Sequence, residues 1–469
     1  MKSTAHLFTE QARAALADDS LQAALRRAKS GFIDKRAAAI AAFPDFDGLR
    51  ERGRRIKDHT LAHLDHYLER FADAVETRGG HVHWARDADE ARRAVLDICQ
   101  RAQARSVIKG KTMVGEEIGI NGALEQAGLE VVETDLGEYI IQLAKEPPSH
   151  IIAPAVHKTR AQICQLFAEH HGSTAALREA PELVAEARAI LREKFLAADV
   201  GITGGNFLVA ETGTVVLVTN EGNGDLSLTL PRVHIVLAGI EKLVPTLDDA
   251  ATMVRLLARS ATGQEISTYT TFVTGPRRAN EPEGPDEYHV VLLDNGRARM
   301  LADEFREMLR CIRCGACLNH CPVYSAIGGH AYGWVYPGPM GSVLTPQFIG
   351  LDGTKDLPNA CTLNGRCQDV CPVKIPLPGL LRRLRDLQFE RRIIRGPQRW
   401  ALRLWGWVAR RPRLYHRLTA LAARFAPRGA ARRLPLDPGW TRSRDFPLPK
   451  GRTFQSAWQE RQRQENGHG

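Results

Sequence analysis

Seven of the nine cysteines fall between Cys311 and Cys371, and their spacing is that of a metal-cluster array. The first group reads Cys311-Ile-Arg-Cys314-Gly-Ala-Cys317-Leu-Asn-His-Cys321-Pro322, a C-x2-C-x2-C-x3-C-P frame without deviation. Three closely spaced thiolates can wrap three iron corners of a cubane, while the chain carries the fourth away to a second cluster. The second group, Cys361-Thr-Leu-Asn364-Gly-Arg-Cys367-Gln-Asp-Val-Cys371-Pro372, repeats the frame with asparagine at the second position. Structural zinc also uses C-x2-C pairs, but four ligands from two pairs do not explain a triplet, a Cys-Pro and a near-copy of both.

Crossing the ligands between the two frames assigns them. Cluster 1 takes Cys311, Cys314, Cys317 and the distant Cys371, and is expected to be 4Fe–4S. Cluster 2 takes Cys361, Cys367 and the distant Cys321, with Asn364 where a fourth thiolate would stand. Losing the unanchored iron would leave a 3Fe–4S core. A water, hydroxide or side-chain ligand on that iron would leave 4Fe–4S. Such an array passes electrons. Cys99 and Cys164 lie in helical patterns and are read as core residues, since free cysteine is commonly buried as a small hydrophobe.

The elements that must hold this array follow from periodicity. Residues 1–80 read as a helical N-terminal segment, with residues 46–77 carrying apolar side chains at helical spacing. From 81 to 300 helices alternate with short β-branched runs. The strands are read at 129–134, 150–153, 206–211, 214–219, 233–240 and 289–293, and the helices at 114–127, 158–170, 181–197 and 247–260. That alternation predicts an α/β domain with a mostly parallel sheet. Thr212-Gly213 between two strands adds one antiparallel hairpin. A Pro- and Gly-rich linker, GPRRANEPEGPDE at 275–287, precedes the last strand. Residues 301–380 form the cysteine domain, and 381–469 a basic, Trp-rich C-terminal region.

Composition excludes some classes and marks that last region. Of 469 residues, 43% are hydrophobic and 25% charged, ordinary for a globular protein. No run approaches the ~18–20 apolar residues of a membrane span, and the N-terminus lacks the grammar of a secretory signal. The expected compartment is the cytoplasm, where cysteines stay reduced and serve as ligands. The net charge of +10 hides an asymmetry: residues 381–469 hold 22 Lys+Arg against 6 Asp+Glu, and five of the seven tryptophans. A helical stretch at 400–425 with interleaved arginines and aromatics suits an acidic partner subunit or the inner face of a membrane, as a peripheral contact. A solvated tail is the plainer alternative. No nucleic acid is expected, because no recognition motif accompanies the charge.

Weaker candidates sit in the middle domain. Glu133 and Asp135 end a strand, where open α/β sheets place ligands. The glycines of 201–213 and 220–224 could admit a ligand to the backbone, with Glu211 beside it as acid or base; they could equally be turns. His157 could lie at a helix start near the mouth of the sheet. Gly110-Lys111-Thr112 resembles the end of a phosphate loop, but Arg105 stands where the first glycine is required.

The cysteine region resembles the α-helical ferredoxin domains of multi-subunit dehydrogenases. Across residues 20–460 the chain resembles the lactate utilization protein B family. That likeness is carried by KGKTMVGEEIG (109–119), VVETDLGEYIIQL (131–143), PSHIIAP (148–154), GITGGNFLVAETG (201–213), TNEGNG (219–224) and GIEKLVP (239–245). The family usually has cysteine at position 364, so this chain departs from it at one ligand. The resemblance implies a middle domain related to ribose-5-phosphate isomerase and CoA transferases. It also implies an iron–sulfur subunit acting beside two partner subunits in oxidising L-lactate to pyruvate. Two other functions remain open on the residues: an enzyme acting on a phosphorylated or CoA-like ligand in the middle domain, and a redox-sensing regulator. No dinucleotide fingerprint is present, and no helix-turn-helix.

Overall fold

The computed structural model describes residues 3–394, 396–425 and 451–466. Residues Met1–Leu387 form one compact unit and Gln388–Gly469 a second.

Within the first unit the described strands are β1 (His81–Ala85), β2 (Ser106–Lys109), β3 (Glu130–Glu133), β4 (Val200–Gly204), β5 (Phe207–Val209), β6 (Thr214–Thr219), β7 (Val233–Gly239), β8 (Leu243–Val244), β9 (Tyr269–Val273) and β10 (Glu287–Leu293). Six form a parallel sheet in the order β1-β10-β7-β4-β2-β3. β7, Val-His-Ile-Val-Leu-Ala-Gly, is buried along its whole length, the apolar run expected of a parallel strand covered on both faces. The two-residue alternation sends Ile235 and Leu237 to one side, against Ile98, Ile118 and Leu124 of the overlying helices. Val236 and Ala238 point to the other side, against Phe71, Val75 and the second sheet. The α/β architecture is therefore as the alternation predicted.

Several details differ from the sequence reading. β1, β2 and β4 carry too short a pattern to be recognised. β4 contains Gly201, where a Cβ would lie 1.8 Å from the Ser227 carbonyl oxygen, so only glycine lets the helix Asn223–Thr229 pack there. The β5–β6 hairpin is antiparallel, but it belongs to a separate four-stranded sheet, β8-β5-β6-β9. Residues 150–153 are a loop, not a strand. Prolines at 147, 148 and 154 remove backbone donors, and the Ile152 and Ala153 amides donate instead to His150 Nδ1 at 3.0 and 3.1 Å. The helix expected over 46–77 breaks at His63, and that over 114–127 at Gly119, which is left-handed at φ 65°.

After β10 the chain becomes short helical turns, among them Ala316–Asn319, Pro322–Ile327, Gly338–Ile349 and Arg366–Asp369. In the second unit, Gly396–Ala409 and Pro412–Phe425 are helical, with proline opening the latter, and Phe454–Asn466 follows. Trp400, Trp405, Trp407 and Trp458 are exposed, and the Arg411 guanidinium lies 3.9 Å from the Trp407 ring centroid. Trp440 lies outside the described residues. No helix of the described residues is long and apolar enough to cross a membrane.

Candidate iron–sulfur centre and the cleft beside it

The two cysteine frames share one backbone conformation fifty residues apart. Arg313 and Gly315 have φ 59° and 74°, and Leu363 and Gly365 have φ 56° and 83°. Each loop turns one amide toward a sulfur, that of Ala316 to Cys314 and that of Leu363 to Cys361, which suits anionic thiolates. The Leu363 amide donates to Cys361 Sγ at 3.3 Å, the Tyr324 amide to Cys321 Sγ at 3.5 Å and the Ile375 amide to Cys371 Sγ at 3.4 Å. A four-residue helix and a Cys-Pro follow each loop.

Tertiary folding sorts the thiols into two sets. Cys371 comes to Cys311, Cys314 and Cys317, enclosed with Ile312, Met340 and Val373. Cys321 comes to Cys361 and Cys367. Burial pushes the Cys314 thiol up to about 12, and the neighbouring Cys371 and Cys311 add to the effect. Burial likewise raises Cys367 to about 12, with Cys361 and Cys321 next in effect. Cys317 is raised by burial and by its own set, and also feels Cys367, so the two sets adjoin. Converging soft donors that burial and mutual repulsion keep from ionising alone fit a cationic iron–sulfur core, which removes both penalties.

Cations and donors surround this centre. Arg50 Nε and Nη2 donate to the Cys371 carbonyl at 3.0 and 2.8 Å, and Arg36 Nη2 to Val370 at 2.9 Å. At the second frame, the Asn364 amide oxygen accepts from the Arg366 amide at 3.2 Å. The corresponding amide in the first frame, Ala316, bonds the Cys314 sulfur. Asn364 thus stands where the sulfur would, and it is exposed to solvent.

The Arg313 side chain leaves the first cysteine loop for the α/β domain. Its Nη2 donates to Glu241 Oε1 at 3.2 Å, and its guanidinium stacks 4.9 Å from the Tyr336 ring centroid. Arg297, 1% exposed, bridges Glu241 at 2.6 Å and Glu117 at 2.9 Å, while the Tyr336 hydroxyl donates to Glu117 at 2.7 Å. Burial acts to raise the Glu241 carboxyl, but Arg297 and Arg313 outweigh it and hold it at about 2.

Beside this network a cleft of about 290 Å³ opens at the carboxyl ends of β2, β4 and β7. Gly110, Lys111 and Thr112 line it, as do Gly204 and Gly205, the turn at 220–224, Lys242 and Arg313. Of the candidates named from sequence, Asp135 faces this cleft and caps the helix Leu136–Leu143 by accepting from the Glu138 amide at 3.1 Å. Glu133 does not reach it: it is 2% exposed and held by Lys109 at 2.8 Å and Asn121 at 2.6 Å. Glu211 is exposed on the β5–β6 turn, accepting from the Leu247 amide at 3.3 Å. His157 Nε2 donates to the Glu146 carboxylate at 2.7 Å, and its ring centroid lies 4.5 Å from that of His330; burial lowers it to about 4. Cys99 and Cys164 lie in separate apolar clusters. Arg313, Glu241 and Lys242 went unnoticed as site residues in the sequence. The only local sign was a charged pair directly after an apolar strand.

Comparison with known proteins shows the family and the cluster-bearing domain. Residues 68–293 match the LUD domain, 307–375 a 4Fe-4S dicluster domain, and 397–463 the lactate utilisation protein B C-terminal domain. The chain therefore carries iron–sulfur clusters. The Escherichia coli uncharacterized electron transport protein YkgF is 42% identical, covering 98% of each chain. Lactate utilization protein B of Lysinibacillus sphaericus is 42% identical, over 97% of each chain, and that of Bacillus pumilus 43%, over 99% of each. A solved DUF162 family protein from Deinococcus radiodurans aligns at a TM-score of 0.29 and 17% identity, covering 49% of this chain and 98% of its own. With relatives this similar along its whole length, the chain belongs to the lactate utilization protein B family.

Proposed function

We propose that this chain is an electron-transfer subunit in the oxidation of L-lactate to pyruvate, acting within a multi-protein complex. The observation that carries the reading is the pair of adjoining thiol sets, one gathered around Cys314 and one around Cys367, in a single compact unit. The names borne by the Lysinibacillus and Bacillus relatives supply the substrate, and that of the Escherichia coli relative the electron-carrying role.

Bound clusters supply one-electron steps, two of which match a two-electron oxidation. The chain's own residues hold the sulfurs, exclude water from the first set and offset its negative charge with Arg36, Arg50 and Arg313. We assign Cys311, Cys314, Cys317 and Cys371 to a 4Fe–4S cluster. Cys321, Cys361 and Cys367 hold the second, a 3Fe–4S core, because Asn364 offers no thiolate. The other subunits of the complex carry the chemistry on lactate. The arginine-flanked tryptophans of the second unit support a docking role for that region, on a partner or at the inner membrane face in the cytoplasm.

Deleting the gene tests this. Growth on L-lactate should fail while growth on pyruvate continues, and anaerobic purification from the host should bring partner chains with it. Normal lactate growth in a host with no second lactate dehydrogenase would refute the assignment.

A further inference from the structure

We propose that the cleft at the carboxyl ends of β2, β4 and β7 binds a small hydroxylated organic anion, a carboxylate or phosphate ester, with its charged group on Lys242 and Arg313 beside the first cysteine loop. The proposal goes beyond electron transfer and does not rest on lactate as the substrate.

Unused donors carry the argument. Lys242 is 8% exposed and lines the cleft, yet its ammonium has no hydrogen bond or ion pair among the described residues. The other buried lysines are engaged: Lys57 on the Glu241 and Leu243 carbonyls, Lys109 on Glu116 and Glu133. Arg313, 9% exposed, has Nη1 buried without an acceptor. Among the described residues its only carboxylate partner is Glu241, which also serves Arg297. Lys242, without a protein partner among the described residues, gains most from an anion in the cleft, and an anion bound there lies beside the Arg313 guanidinium.

The rest of the cleft narrows the ligand class. Its volume of about 290 Å³ suits a small molecule and not a dinucleotide. Asp135 and Glu221 also line it, and Glu221 Oε2 accepts from the Leu136 amide at 3.2 Å. Carboxylates there would take hydrogen bonds from ligand hydroxyls. Leu217, Leu237 and Leu257 supply apolar wall, and Gly204 and Gly205 bring bare backbone to the surface. Carboxyl ends of parallel strands are where open α/β sheets bind ligands. Because Arg313 lies between Cys311 and Cys314, an anion on its guanidinium changes the electrostatics of the first cluster.

The test uses the full-length chain, purified anaerobically with its clusters, and calorimetry with L-lactate, glycerol 3-phosphate, and the uncharged lactamide and glycerol. One of the two anions should bind one per chain, with its neutral analogue weaker by roughly a hundredfold. Lys242→Gln should weaken binding by about tenfold or more, and Lys242→Arg should largely restore it, at unchanged iron content. In the unaltered chain the same anion should shield Lys242 from a lysine-specific reagent, a readout that needs no variant. It should also shift the paramagnetic signal of the reduced first cluster. Binding of glycerol 3-phosphate alone would support the cleft while leaving lactate to the partner subunits. No binding of either anion at about 10 mM, or binding that neither shields Lys242 nor weakens in Lys242→Gln, would overturn the proposal.

Discussion

Arg313 lies between Cys311 and Cys314 in the chain, yet its guanidinium is 3.2 Å from Glu241, just after a strand and 72 residues earlier. The loop of the first cysteine frame is thereby tied to the sheet by a buried charge pair, which continues through Arg297 to Glu117. Removing one member of such a network leaves the others buried and uncompensated. Glu241→Gln should therefore cost roughly 3–5 kcal/mol. Anaerobic chemical denaturation would measure this, and an unchanged midpoint would show the network to be dispensable.

Adjacency in sequence and adjacency in space disagree for Cys367 and Cys371, and this separates the two centres experimentally. Cys371→Ser should behave like Cys314→Ser, losing the first cluster and sparing the second. Cys367→Ser should do the reverse. Iron and sulfide analysis with paramagnetic resonance distinguishes the two. Identical losses from Cys367→Ser and Cys371→Ser would contradict the crossed assignment.

Asn364 is the sharpest single residue. Its amide oxygen takes the backbone hydrogen bond that the first frame gives to sulfur, and it faces solvent. Oxidised 3Fe–4S is paramagnetic and oxidised ferredoxin-type 4Fe–4S is not. Gently oxidised protein should thus show a signal from the second centre without reductant. Asn364→Cys should abolish it, add about one iron per chain and lower that centre's potential. A silent oxidised protein that already holds two full cubanes would mean that Asn364, water or a neighbour holds the fourth iron.

A pH dependence follows from the sheet. His234 is buried on β7, its Nε2 2.8 Å from Thr203 Oγ1, and burial, with His289 nearby, lowers it to about 3. Unfolded histidine titrates near 6.5. Between those values the unfolded chain takes up a proton that the folded chain refuses, so stability falls as pH drops below about 6.5. The loss from this group between pH 7 and 5 should be roughly 2 kcal/mol. His234→Gln should flatten the urea-denaturation profile over that range by about this amount. Some slope should remain, because His83 and His289 are lowered too. A profile as steep as that of the unaltered chain would show that His234 is protonated when folded.

What could be read from sequence was local. Cluster ligation by a triplet of thiolates depends on spacing within a dozen residues, so Cys311, Cys314 and Cys317 announced themselves, and the repeated frame implied the exchange of Cys321 and Cys371. Long helices such as Ala180–Ala197 and the largely apolar β7 declared themselves by their patterns. Only the tertiary structure could supply the rest. β1, β2 and β4 are four or five residues long and are strands because neighbours flank them, not because of their own pattern. The prolines around 150–153 outweighed its β-branched run. Glu133 and Glu211 looked equivalent to Asp135 as acids near strand ends, but packing buried the first against Lys109, turned the second to solvent and left Asp135 on the cleft. Lys242 and Arg313 meet at that cleft across 71 positions of chain. Charge complementarity between buried side chains acts through space at a few ångströms, and residue spacing along the chain carries no trace of it.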